Sequence, residues 1–387
     1  MKEKKYIALG LMSGTSMDGV DASIISSIDG NHYDEEFNSF YEYEQDLRLK
    51  ITVLRDKLTN LEKLRTLSKE LKSLEKQITL FHARVVNDFL HLADKAGAPD
   101  PKIIGFHGQT MFHSPEEKIS LQLGDGSLLS QLTKKTVVYD FRKNDLKNGG
   151  QGAPLAPVFH NSMISKMYRK KKIPLIVLNI GGITNATGFP YGQSNFNEEF
   201  TMFAGDIGPG NCLIDEWMRK KSKHKYDKDG LIAKSGKINE LILNQALDNF
   251  SINYKNSLDI KDFDISFVRS LSLEDGAATL TKFTATVIKQ GLTHLIEKKK
   301  YKKELCSPPI IVCGGGRKNK HLMNLLNNMI FPGDVFSIDK KGINGDFVES
   351  QAFAFLAIRK YLDLPISFPN TTGCKNLITG GVIVKNF

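Results

Sequence analysis

Apolar residues fall along this 387-residue chain in short continuous runs that end in glycine turns, with one longer helical stripe between them. Residues 6–12 form a run of the kind buried in a sheet, and it ends in Ser13-Gly14-Thr15-Ser16-Met17-Asp18-Gly19. Residues 20–28 alternate and predict the returning strand of a hairpin. Between residues 54 and 85 apolar positions recur every three or four residues, as in Leu54, Leu58, Leu61, Leu64, Leu67, Leu71 and Leu74. Charged residues fill the other faces of that stripe, which favours one long helix packed on a sheet over a coiled-coil surface. Residues 103–106, 119–123 and 136–139 read as further strands.

A second half opens at residues 175–180 with a strand, the turn Gly181-Gly182 and another strand over 183–187. This repeats the start of the chain and predicts two topologically equivalent halves. Residues 275–297, 320–328 and 345–362 predict helices, and 310–312 a buried strand. Strands alternating with helices predict an α/β fold with helices on both sheet faces.

Length then divides the picture, since 387 residues exceed one ordinary core and predict two domains. A composition of 41% hydrophobic and 25% charged residues excludes disordered and fibrous classes. The net charge of +10 comes largely from short runs, Tyr168-Arg169-Lys170-Lys171-Lys172 and residues 297–303, each ahead of an apolar strand. They read as solvated helix ends or turns. Without interleaved aromatics on one face they do not form a nucleic-acid patch, although positive charge can steer anionic ligands. Cys212, Cys306, Cys313 and Cys374 form no CxxC pair and read as reduced thiols. The apolar run after the basic N-terminus is too short for a secretory signal, and no stretch of about 18 apolar residues occurs. A cytoplasmic protein with no membrane partner is expected.

Candidate chemistry lies in the glycine turns. No G-x-x-x-x-G-K-[S/T] occurs, and Gly314-Gly315-Gly316 does not fit G-x-G-x-x-G, so P-loop and Rossmann readings fail. Three glycine clusters, Gly14 to Gly19, Gly181-Gly182 and Gly314-Gly315-Gly316, each follow an apolar strand. Glycine permits close backbone approach, so successive N–H groups can point at phosphate oxygens. Ser13, Thr15 and Ser16 add hydroxyl donors, and Asp18 can bind Mg²⁺ directly or through water. Any one such turn could be a plain hairpin; three across two halves point to a nucleotide cleft. Gly205-Asp206-Ile207-Gly208-Pro209-Gly210-Asn211 places a carboxylate among glycines ahead of an apparent helix. Asp206 there is either a base that deprotonates a nucleophile or, like Asn211, a helix cap.

These strings resemble one family, the anhydro-N-acetylmuramic acid kinases. They are Gly10-Leu-Met-Ser-Gly-Thr-Ser-Met-Asp-Gly19, Phe106-His-Gly-Gln-Thr110, Leu121-Gln-Leu-Gly-Asp125, Asp140-Phe-Arg142 and Gly149-Gly-Gln-Gly-Ala-Pro154. The second half adds Asn179-Ile-Gly-Gly-Ile183, Asp206-Ile-Gly-Pro-Gly-Asn211, Cys313-Gly-Gly-Gly316 and Glu349-Ser-Gln-Ala-Phe353. The resemblance implies two actin-like (ribonuclease H-like) α/β domains with mixed sheets flanked by helices, and ATP and Mg²⁺ in a cleft between them. We expect one domain over 1–137 plus 363–387 and the other over 138–362. The family reaction opens the sugar's 1,6-anhydro bridge with water while ATP phosphorylates the 6-oxygen, giving N-acetylmuramate 6-phosphate and ADP in peptidoglycan recycling.

By the same resemblance Asp206 is the catalytic base. Gly14, Thr15, Ser16, Met17, Asp18, Gly19, Gly181, Gly182, Gly208, Gly210, Asn211, Gly314, Gly315 and Gly316 bind the nucleotide, with Asp18 at the metal. His107, Asp140, Arg142 and Glu349 surround the sugar, Arg142 being suited to its lactyl carboxylate. From residues alone, His107 could equally be a satisfied strand-end histidine and Arg142 half of a surface ion pair; His113 and His160 read as structural. The family implies a homodimer.

Three departures stand out. Ile207 replaces the family's common Thr, which removes a hydroxyl expected near the phosphates. Asn256-Ser257-Leu258-Asp259-Ile260 replaces a basic Lys-Ser-Thr-Gly-Arg, so that loop is given no role. Gly126 stands where Pro is common, a loop change of little chemical consequence. Other small-molecule kinases of the superfamily and actin- or chaperone-like ATPases are the competing readings.

Overall fold

The structure is a computed structural model in which residues 4–168, 173–191, 201–252, 257–301, 303–304, 308–330 and 334–387 are described. In chain order it begins with β1 (Tyr6–Ser13), β2 (Gly19–Ser27), β3 (Asp34–Glu42), α1 (Gln45–Lys57), α2 (Leu61–Thr66) and α3 (Ser68–Lys95). There follow β4 (Ile103–Ser114), β5 (Ile119–Leu123), α4 (Gly126–Thr133), β6 (Thr136–Tyr139), α5 (Lys143–Lys147) and α6 (Pro157–Tyr168). The middle of the chain holds β7 (Leu175–Ile180), β8 (Ile183–Phe189), β9 (Phe203–Pro209), α7 (Cys212–Lys221), α8 (Leu231–Ser235) and α9 (Glu240–Asp248). It continues with α10 (Leu273–Lys298), β10 (Ile310–Cys313), α11 (Lys320–Met329) and β11 (Val335–Ser337). The chain closes with α12 (Val348–Tyr361), α13 (Pro369–Thr372) and β12 (Val382–Val384).

Two compact units result, Met1–Lys166 with Phe347–Phe387, and Met167–Asp346. The boundaries expected from sequence, 137/138 and 362/363, fall away from these. The cause is packing: α5 lies against β5, and α12 against β1, β2 and β4, which draws both flanks into the first unit.

The first unit's sheet runs β12-β6-β4-β1-β2-β3, with β5 also paired to β4. β1, β2 and β3 are antiparallel, while β4 is parallel to β1 and β6 parallel to β4. The second unit's sheet runs β11-β10-β7-β8-β9. Here too three strands form an antiparallel meander and two more add in parallel on the far side. The two halves therefore share one topology, as the repeated strand–glycine–strand pattern predicts, and the class is α/β with mixed sheets flanked by helices. β10 is buried at every position, as expected of a strand with parallel neighbours on both edges.

One close approach organises the first unit. Leu9 and Leu11 of β1 turn to the face where α1 and α3 bury their leucines, and Gly10 turns to the other. A Cβ at Gly10 would lie 1.9 Å from the Ser350 carbonyl oxygen, and one at Gly105 would lie 2.2 Å from that of Phe353. These two glycines are paired across β1 and β4, so the α12 backbone lies directly on the sheet there.

The stripe between 54 and 85 is three helices, not one. Asn60 accepts from the Lys63 amide and caps α2, and an N-cap residue competes with helix continuation. The spacing survives the break because α1 and α3 both feed the same core. β3 and β9 escaped the sequence reading because both are edge strands: β3 is charged and half-exposed, and β9 carries two glycines and a proline. The second basic run lies at the end of α10, with Glu297, Lys298, Lys300 and Lys303 exposed; residues 169–172 and Lys302 of the two runs lie outside the described residues. Cys212, Cys313 and Cys374 are buried and form no disulfide, and Cys306 lies outside the described residues. No helix among the described residues is long and apolar enough to cross a membrane.

Gly10→Ala should destabilise the chain by about 3 kcal/mol or prevent folding, because the added methyl meets backbone that cannot move alone. Urea denaturation checks this, with Ala8→Gly, at an ordinary buried position of the same strand, as the comparison.

Candidate functional site

In the first unit the glycine turn joins β1 to β2, and Thr15 and Ser16 are exposed at its tip. The Met17 amide donates to the Gly14 carbonyl (3.2 Å), and Met17 takes a left-handed φ of 53° that few side chains adopt. Its buried thioether, 3.8 Å from the Thr52 hydroxyl, anchors that conformation. Ser16 Oγ donates to Asp18 Oδ1 at 2.6 Å, so the carboxylate is oriented from within the turn.

Ser13 does not serve as an outward donor. His82 Nδ1 lies 2.8 Å from the Ile78 carbonyl, which can only accept, so the ring proton is on Nδ1 and Nε2 accepts. Ser13 Oγ, 3.2 Å from that Nε2, donates to it and in turn accepts from the Tyr43 hydroxyl at 2.8 Å. The Tyr43 amide also holds the Asp18 carbonyl at 2.9 Å, so one residue ties down both ends of the turn. Gln109, opposite Ser13 on β4, donates to the Gly14 carbonyl (3.1 Å). Burial pushes the His82 imidazole down to about 4, which keeps it the neutral acceptor this chain of bonds requires.

His107 stands two residues before Gln109 on β4. Arg142 Nη2 lies 2.9 Å from its Nε2, and an arginine can only donate, so Nε2 accepts and Nδ1–H donates to the Gly108 carbonyl (2.8 Å). Burial first, and the Arg142 charge second, hold His107 well below the ordinary imidazole range. Arg142 Nη1 donates to the Gly152 carbonyl at 2.8 Å. Both contacts are to neutral acceptors, and together they orient the guanidinium. Phe353 of α12 lies 4.4 Å from the His107 ring, centroid to centroid. Glu349, one turn earlier on α12, shares that face and is half-buried. Asp140 has a left-handed φ of 57° and pairs with Lys143 at 2.5 Å. The four expected residues thus belong to one unit, with His107, Arg142 and the α12 face in direct sequence of contact.

Asp145 was not singled out by the sequence. It is fully buried, accepts from the Gly152 amide (2.6 Å) and from the Thr372 hydroxyl (2.6 Å), and so fixes the loop that receives Arg142. Gly150 is required there, since a Cβ would lie 2.1 Å from Asp145 Oδ2.

In the second unit the remaining glycines converge on one end of the sheet. The Gly210 and Asn211 amides donate to the Gly182 and Gly181 carbonyls, both at 2.8 Å, and the Asn211 side chain donates to Gly181 at 3.1 Å. A Cβ at Gly314 would lie 2.6 Å from the Ile180 carbonyl, one at Gly316 2.2 Å from Ile180 Cγ2, and one at Gly315 3.7 Å from Asn211 Nδ2. A Cβ at Gly208 would lie 2.7 Å from Val287 on α10. The Gly314 turn is braced by Arg317, whose Nη1 reaches the Gly314 carbonyl (3.1 Å) and Asp346 (2.8 Å) while Nε meets Asp339 (2.8 Å). Burial works to raise the Asp339 and Asp346 carboxyls, and the bonds from Arg317 outweigh it, leaving both below the usual range.

Asp206 lies in β9, opposite Asn185, and the ladder then shifts so that Ile207 is an extra residue before Gly208 pairs with Thr184. The carboxylate is half-buried, and its Oδ2 accepts from the Leu258 amide at 2.9 Å. It is therefore not the helix cap that the sequence left open; Asn211 holds the cap position of α7 without a side-chain cap bond. Ile207 is wholly buried in the core under α10, so the Thr-to-Ile departure removes no hydroxyl from the glycine turns. Asn256 lies outside the described residues.

Asp18 could hold a cation that keeps most of its ligands as water and phosphate, as Mg²⁺ does; among the described residues no group of three or more His, Cys, Asp or Glu forms a fuller cage.

Comparison with known proteins agrees with the string resemblance. The profile of the family described as anhydro-N-acetylmuramic acid kinase matches residues 5–386. A protein of that name from Pelagibacter ubique is 50% identical over 390 residues, covering 100% of both chains. One from Brucella canis is 36% identical, covering 98% of each. One from Zymomonas mobilis is 38% identical, covering 97% of this chain and 99% of that protein.

Buried neutral histidines give a pH dependence whose sign is fixed. The unfolded chain protonates His82 below about 6.5, and the folded chain does so only near 4. Its contribution is therefore complete above 6.5 and is lost as pH falls from 6.5 towards 4, at about 1.4 kcal/mol per pH unit. Urea denaturation at pH 7, 6 and 5 should show this fall, and His82→Gln should be less steep by about one proton.

Proposed function

The chain belongs to the anhydro-N-acetylmuramic acid kinase family and is a kinase, and from that premise we propose an ATP-dependent kinase that opens 1,6-anhydro-N-acetylmuramic acid while phosphorylating it. Water attacks the anomeric carbon, the bond from that carbon to the bridging oxygen breaks, and that oxygen takes the γ-phosphoryl group. The products are N-acetylmuramate 6-phosphate and ADP. We place the reaction in cell-wall recycling and extend the reading to a cytoplasmic homodimer.

An inverting glycoside hydrolase needs one carboxylate for the water and a second group to protonate the departing oxygen. Here phosphorus captures that oxygen, so one carboxylate is sufficient. The observation that carries the reading is Asp206, a half-buried carboxylate on the strand that ends in the glycine turns, with one oxygen fixed by a main-chain N–H. It takes the proton from water.

In the first unit, the turn from Gly14 to Gly19 offers phosphates the exposed Thr15 and Ser16, its shape being locked by Tyr43 and Gln109. Asp18 would hold Mg²⁺, which when bound neutralises phosphate charge. In the second unit, Gly181, Gly182 and Gly315 give a side-chain-free surface for nucleotide, while Gly208, Gly210, Asn211, Gly314 and Gly316 pack the turns closely enough to hold it. Arg142, aimed by His107 and Gly152, pairs with the lactyl carboxylate. Asp140 and Glu349 supply acceptors for sugar hydroxyls.

Incubating the chain with ATP and the anhydro-sugar should give the 6-phosphate by mass, and plain hexoses should not react. Product from hexoses but not from the anhydro-sugar would sink the reading. Asp206→Asn should lose about 10³-fold in kcat while binding ATP with unchanged Kd. Arg142→Lys should raise KM for the anhydro-sugar roughly tenfold with a smaller effect on kcat, since an ammonium cannot reproduce the planar two-bond pairing.

A further inference from the structure

A loop that departs from the family pattern touches the proposed base. Leu258 and Asp206 are 52 residues apart, yet the Leu258 amide points at Asp206 Oδ2 from 2.9 Å. We propose that this main-chain N–H is the positioning element of the base: it sets the plane and tilt of the Asp206 carboxylate for the attacking water. The inference rests on the reading of Asp206 as the base.

Three features support it. First, an N–H bond to a carboxylate oxygen is charge-assisted and about twice as strong as its neutral counterpart, so it is worth a fixed orientation. Second, the loop is built to hold that amide still. Immediately after Leu258, the Asp259 side chain accepts from the Lys261 amide (3.0 Å), and the Asp262 side chain accepts from the Asp259 amide (2.8 Å). The Asp262 amide returns to the Asp259 carbonyl (3.0 Å), and Phe263 stacks on Phe250 with ring centroids 6.1 Å apart. The Asp259 and Asp262 carboxylates are thus occupied in this reciprocal cap, to which Lys261 contributes its backbone N–H. Third, the donor is backbone, so the contact does not depend on side-chain identity. A loop that replaces a basic Lys-Ser-Thr-Gly-Arg with Asn256-Ser257-Leu258-Asp259-Ile260 can still present the amide.

A donor to the ionised carboxylate favours that form, so its loss must shift the base towards protonation. The test replaces Leu258 in the full chain by its α-hydroxy analogue, which converts the amide to an ester and removes only the N–H. Leu258→Ala keeps the N–H, and Leu258→Pro removes it by a second route. kcat/KM for the anhydro-sugar is measured against pH from 4 to 9, with urea denaturation as a check of folding. We expect Leu258→Ala, which keeps the N–H, to keep the acid limb of the unmodified chain. The ester chain should move its acid limb up by roughly one pH unit and lose about tenfold in kcat, with KM for ATP unchanged. An ester chain that folds normally and keeps its acid limb overturns the positioning role, as does a shift of equal size in Leu258→Ala. Near-normal turnover in Asp206→Asn is a different failure, because it removes the base itself.

Discussion

Contact between backbone and backbone, where α12 lies on the glycine pair Gly10 and Gly105, is the constraint from which the first unit's site follows. No side chain separates helix from sheet at that point, so the helix has one depth and one rotation available. Those fix Phe353 against His107, with Glu349 on the same face of the helix. The second unit uses the same economy with the roles exchanged. There the glycine is on the helix, Gly291 of α10, and a Cβ on it would lie 2.1 Å from the Ile207 carbonyl of β9. The strand carrying Asp206 is thereby seated directly against the α10 backbone.

Hydrogen-bond direction does the next part of the work. Two buried imidazoles, His82 and His107, are held neutral by burial, and each takes a proton on Nδ1 because a carbonyl stands there. Each then offers Nε2 as a fixed acceptor, to Ser13 in one case and Arg142 in the other. The glycine turn and the guanidinium are thus aimed by groups that would reverse their role if protonated. Glycine gives these loops their shape, and neutral histidine gives them their direction.

Much of this was legible in the sequence. The buried strands β1, β7 and β10 are apolar runs, and the glycine turns sit where those runs stop. The string resemblance carried the fold class and named the residues that converge in each unit. Other features were not legible. The break at Asn60 was hidden because the apolar spacing continues through it when two helices share one core. The edge strands β3 and β9 lack alternation because β3 is charged and half-exposed along its length and β9 carries two glycines and a proline. The Leu258 contact is invisible in principle, since a main-chain donor leaves no mark on residue type. Ser13 looked like a phosphate donor until the Tyr43 and His82 side chains, far away in sequence, claimed both sides of its hydroxyl.

The order of the chain adds a consequence for biogenesis. The first unit is written in two pieces, and the second unit lies wholly between them. A ribosome delivers β1 to β4 early, but the helix that covers Gly10 and Gly105, and the strand β12 that closes the sheet beside β6, emerge last. At about 5–20 residues per second, the interval between Ser114 and Val348 is on the order of tens of seconds. Through that time the face around Gly10 and Gly105 stays bare while the second unit can complete itself. The first-made half of the chain is thus the last to become native.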